Sequence, residues 1–124
     1  MIQLILHLVG DYVTQSHWMA TSKTRSSFAA LCHATIYAIP FFLIGGWRAV
    51  FVIWSTHFFV DRFRLARYVV FAKNQMGPGR LRWRDCSATG YPNDVPAWLS
   101  VWLLIACDNT LHLAINYAAL RWVR

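Results

Sequence analysis

Three times in this chain a histidine and an aspartate stand four residues apart inside an apolar run. His7 and Asp11 lie in ILHLVGDYV, His57 and Asp61 in WSTHFFVDRF, and Asp108 and His112 in IACDNTLHLAI. On a helix that spacing puts both side chains on one face, one turn apart. With five His and five Asp in 124 residues, chance supplies about 0.4 such pairs. A fourth apolar run, ALCHATIYAIPFFL, carries His33. An uncompensated Asp at the centre of a membrane helix costs about 2.5–3.5 kcal/mol, so three cost about 8–10 kcal/mol. The polar stripes must therefore face inward and find one another.

The medium around those helices follows from composition. Hydrophobic residues make up 57% of the chain and mean hydropathy is +0.37, both high for a soluble domain. All five acidic residues are Asp; Asp11, Asp61 and Asp108 sit in apolar runs and only Asp85 and Asp94 in a polar one. A soluble protein spreads its acids over the surface, the reverse of this arrangement. The net charge of +7 raises nucleic acid as a partner, but no nucleic-acid-binding motif is present and the Lys and Arg flank apolar runs. The partner expected is the lipid bilayer, not nucleic acid. Cys32, Cys86 and Cys107 form no CxxC or zinc-ribbon spacing, and Cys32 and Cys107 read as small hydrophobes. No charged leader precedes His7, so no cleavable signal peptide is expected.

These features predict an all-α polytopic membrane protein, a bundle of four transmembrane helices forming one membrane-embedded domain over residues 1–124. The helices are expected at 2–20, 27–45, 49–72 and 98–122, with a polar cytoplasmic loop over 73–97. The second is broken or kinked at Pro40 and ended by Gly45–Gly46. Serines and threonines of TSKTRSS are placed to cap it. Lys23, Arg25, Lys73, Arg80, Arg82 and Arg84 fall on one side and Arg48, Arg121 and Arg124 on the other. By the positive-inside rule both termini are periplasmic and the location is the bacterial inner membrane. Each His/Asp pair then lies about halfway along its helix, in a shared layer near the membrane middle, with His33 nearer the cytoplasm.

Imidazole and carboxylate together are ligands for divalent cations of borderline softness. The candidate metal ligands are His7, Asp11, His33, His57, Asp61, Asp108 and His112. Zinc is the first expectation, with iron and manganese as alternatives. Seven exceed the needs of one tetrahedral ion. Either two ions share a carboxylate, or an Asp, Asp61 or Asp11, stays free as a catalytic base. Gln15 and Asn116 continue two of the stripes by one turn and are placed to orient ligands or substrate. Thr56 and Asn109, each beside a candidate ligand, are placed likewise. His17 lies off the stripe and reads as interfacial. Arg80, Arg82 and Arg84 read as headgroup contacts, or as a dock for an anionic substrate phosphate. Two metal-free readings stand beside this one: a proton relay, and structural pairing of each Asp with its His.

The segments HLVGDYVTQSHWMA, THFFVDRFRLARYVVFAKN and DNTLHLAINYAALRW resemble a family of small bacterial and phage membrane proteins known as domain of unknown function 3307. The resemblance covers nearly the whole chain. That family is in turn distantly similar to LexA-regulated inner-membrane proteins described as metal-dependent hydrolases. The resemblance implies a membrane-embedded His/Asp metal site, with motif positions at His7, Asp11, Gln15, His33, His57, Asp61, Asp108 and His112, and hydrolytic chemistry. The expected function is metal-dependent hydrolysis of a lipid or lipid-linked phosphoester or amide. No Ser–His–Asp order and no Gly-rich phosphate loop is present. A small proton, ion or metal transporter would use the same stripes. A phage-type interaction or channel-forming protein would require a homo-oligomer.

Overall fold

The structure, a computed structural model, describes residues 1–123; Arg124, counted above among the basic residues, lies outside them. Among the described residues the regular secondary structure is all helical, with no strand. The α-helices are α1 (Ile2–Leu8), α2 (His17–Ser22), α3 (Ser27–Ala38), α4 (Trp47–Phe63), α5 (Ala66–Asn74), α6 (Trp83–Cys86) and α7 (Ala97–Trp122). Among them only α7 is long and apolar enough to cross a membrane, and 11% of its most apolar window is buried. Ile2–Val13 and Ser27–Leu43 are shorter apolar helices.

Three of the four expected helices are interrupted. After α1 the chain widens into a π turn over Val9–Val13. A Cβ on Gly10 would stand 2.5 Å from the Tyr37 ring, so only glycine lets this turn pass so close. Ser16 then leaves helical geometry and caps α2, its Oγ accepting from the Met19 N–H. Ser26 caps α3 in the same way, accepting from Ala29. α3 gives way at Pro40 to a 3₁₀ turn over Ile39–Leu43, because proline offers no N–H to the α-helical ladder. The helix expected over 49–72 breaks at Arg64, whose φ of 52° is left-handed.

The chain sorts into two compact units, one of Met1–Phe63 with the end of α7 from His112, the other of Arg64–Leu111. In the first, α3 packs on α4. α3 offers Ala29, Ala30, Ala34 and Ala38 to the interior, small residues that let the backbones approach. Tyr37, Ala38, Phe41, Ala49, Val50, Ile53 and Ala119 form a continuous apolar core. α1 is tied to α7 where Gln3 donates to the Leu113 carbonyl at 2.7 Å.

In the second unit α6 lies within the segment expected as a polar loop. Trp83 stacks on Tyr68 at 4.7 Å between ring centres and meets Phe71 edge-on. Arg64 and Arg67 donate to the carbonyls of Ala88 and Ser87, and Asn74 to that of Gly90. Gly90 has φ +85° and no room for a Cβ, which would lie 2.4 Å from the Arg67 carbonyl oxygen. Cys86 is fully buried, and burial, with Asp85 and Asp94 nearby, pushes its thiol up from the usual range.

Candidate metal centre

The site gathers where the helices of the first unit end or break. His7 closes α1 and Asp11 sits in the π turn. His33 lies in the second turn of α3, and His57 and Asp61 in the last two turns of α4. His112 projects from α7. All six are buried. Because α4 stops at Phe63, His57 and Asp61 stand at a helix end rather than midway along a span.

Four side chains converge. His33 Nε2 is 3.0 Å from His57 Nε2, 3.1 Å from Asp11 Oδ1 and 3.2 Å from Asp61 Oδ2. His57 Nε2 is 3.4 Å from Asp11 Oδ1 and 3.3 Å from Asp61 Oδ2. Each residue offers one ligand atom, and all four lie within 4.8 Å of one another. A tetrahedral ion held at about 2.0–2.2 Å separates its ligand atoms by about 3.3–3.6 Å. Five of the six edges of this donor set are therefore within a few tenths of an ångström of those of a filled site. Two carboxylates facing two imidazoles also match the ligand chemistry of a divalent cation. These buried groups could hold a metal ion.

The remaining residues grip the four from outside. Asp11 turns Oδ2 to His7 Nδ1 at 3.4 Å, and Asp61 turns Oδ1 to His112 Nε2 at 3.3 Å. His112 Nδ1 meets His57 Nδ1 at 3.2 Å. The candidate ligands thus divide by position: His33 and His57 belong to the inner set, while His7 and His112 each hold the outward oxygen of a carboxylate. The Tyr37 ring stacks on His57 at 3.6 Å between centres, 14° from parallel. Its hydroxyl lies 2.8 Å from His7 Nδ1 and accepts from Asn116 Nδ2 at 2.6 Å. Asn116 therefore reaches the site through Tyr37. Gln15 donates to the Asp11 backbone carbonyl at 2.6 Å, which fixes the π turn rather than the carboxylate.

Two residues in this shell lay outside the sequence reading of the site. Tyr37 follows His33 by four positions, so the stripe that singled out His33 contains it. Lys23 had no such signal, yet its Nζ is 2.7 Å from Asp61 Oδ2 and 3.3 Å from His33 Nε2. Thr56 bonds back to the Val52 carbonyl of its own helix, and His17 is exposed on α2. Asp108 and Asn109 lie on the part of α7 that belongs to the second unit.

No curated protein and no solved structure matches the chain. A family model does match, over residues 1–78, the stretch that supplies His7, Asp11, Lys23, His33, Tyr37, His57 and Asp61. On that match, which covers more than half of its length, the chain belongs to the family described as protein of unknown function (DUF3307).

Proposed function

We propose that this protein is a membrane-embedded metal-dependent hydrolase acting on a lipid or lipid-linked phosphoester or amide. The observation that carries the reading is the donor set of Asp11, His33, His57 and Asp61, with five ligand-to-ligand distances between 3.0 and 3.4 Å. A divalent ion held there, zinc before iron or manganese, would lower the pKa of a water molecule and polarise a scissile group. The chain's own residues supply the rest. His33 and His57 would present Nε2 to it. Asp61, with Oδ1 against His112 Nε2 at 3.3 Å, takes a proton from water and passes it to that imidazole. Asp11 and His7 hold the mirror arrangement at 3.4 Å, and Tyr37 keeps His57 from rotating. The exposed apolar length of α7 favours a bilayer setting, which makes a lipid the accessible substrate, and the basic flanks favour the inner membrane with both termini periplasmic.

The test is metal content of the detergent-purified protein beside His57→Ala and Asp61→Asn. The expected result is stoichiometric metal in the wild type, its loss in His57→Ala, and loss of lipid hydrolysis in both variants. A folded wild-type protein that stays metal-free when purified without chelators and incubated with zinc would sink the reading.

One observation favours a second reading. His33, His57 and His112 form an unbroken string of imidazoles, joined at 3.0 and 3.2 Å, as a metal-free proton relay requires. Proton flux into liposomes carrying the metal-free protein, abolished in His57→Ala, would select it.

A further inference from the structure

Among the described residues, Lys23 is the one Lys or Arg side chain at the donor set. It caps the end of α2 in the short basic connection to α3. That connection is clamped from the neighbouring element: Arg62, the residue after Asp61, donates from Nη1 to the Thr24 carbonyl at 2.9 Å and from Nε to Ser27 Oγ at 3.0 Å. The clamp fixes the connection against the end of α4 and delivers the ammonium onto Asp61 Oδ2 at 2.7 Å. The same ammonium is 3.3 Å from His33 Nε2. Lys23 therefore stands against two of the four atoms that would bind an ion, Asp61 Oδ2 and His33 Nε2. Its side chain is 18% exposed, against 4% for Asp61, so it also lies between the buried set and the surface.

We propose that Lys23 is a built-in competitor for the metal: its ammonium neutralises Asp61 and occupies His33 in the ion-free site, and it must swing outward for a divalent cation to enter. The inference rests on the metal-centre reading above and adds an entry route, past the connection between α2 and α3, and an affinity set below what the four donors alone would give. A salt bridge with only a structural role makes the opposite prediction, since removing it would loosen the ligands and weaken the site.

The experiment measures zinc affinity of the detergent-solubilised full chain by competition with a chromogenic chelator, for wild type, Lys23→Met, Lys23→Gln and Lys23→Arg, with folding checked by circular dichroism. Removing one charge-assisted contact from the ion-free state should tighten zinc binding roughly tenfold in Lys23→Met and Lys23→Gln, whereas Lys23→Arg, which keeps the charge, should not tighten it. Equal or weaker binding in the Met and Gln variants, or equal tightening in Lys23→Arg, overturns the competitor role and leaves the metal centre standing. Folded proteins that bind no zinc in any of the four forms overturn both.

Discussion

At the scale of single residues, two histidines that look alike in sequence have different work. His57 presents Nε2 to three other donor atoms, while His7 meets the outward oxygen of Asp11. His57→Ala should abolish zinc binding, whereas His7→Ala should weaken it by about 10- to 100-fold, the usual cost of losing a residue that orients a ligand; equilibrium dialysis separates the two. Tyr37 joins His7 to Asn116 while lying flat on His57. Tyr37→Phe keeps the stacking and removes the hydroxyl bridge between two fully buried polar side chains. The expected loss is about 1–3 kcal/mol of stability, read as a lowered midpoint of thermal unfolding in detergent. An unchanged midpoint would mean that the bridge is energetically idle.

At the scale of elements, the site depends on helices that stop. The π turn over Val9–Val13 brings Asp11 to His33, and it passes Tyr37 at a distance only Gly10 permits. Gly10→Ala should therefore cost about 1–3 kcal/mol through overpacking. Because the clash falls on Tyr37, it should also lower zinc affinity, although residue 10 is no ligand. A loss of stability with zinc affinity unchanged would show that the turn and the site are uncoupled. In the second unit Gly90 has the same importance for α5, meeting Arg67 and Phe71 backbone. Cys86, buried and with its thiol pushed up, should resist alkylation at pH 8 in the folded protein. In Gly90→Ala it should label quickly, as mass spectrometry of the modified thiol would register.

At the scale of the whole molecule, α7 is the element whose surroundings matter most to the proposed function. It runs 26 residues, about 39 Å at 1.5 Å per residue, enough to cross a bilayer core of about 30 Å. Its most apolar window is mostly unburied, so something apolar should cover it. On the membrane reading, Leu103→Arg in this helix should impede insertion at a cost of about 2.5–3.5 kcal/mol. The variant should shift from the alkali-resistant membrane fraction toward aggregates, as immunoblots of fractionated cells would show. Equal recovery of wild type and variant from the soluble fraction would remove the bilayer from the account.

Much of the site was legible in the order of residues because helical periodicity is local. Spacing of four fixes which side chains share a face, and that alone marked His7 with Asp11, His57 with Asp61, and Asn116 beyond His112; it also carried Tyr37 behind His33. The apolar runs and their stripes likewise marked the helical class, Pro40 marked its own break, and the cap at Ser26 lies among the serines and threonines of TSKTRSS. The tertiary structure decided what local rules cannot reach. The interruptions at the π turn and at Arg64 arise from close approach and backbone geometry, and they place the ligands at helix ends. Packing of α3 on α4 through alanines set the distances that bring Asp11 and Asp61 to the same two imidazoles. The arrival of Lys23 at Asp61 depends on Arg62 gripping a connection 38 residues away in sequence. Periodicity names the face a residue occupies; only packing between distant segments determines which atoms on that face meet.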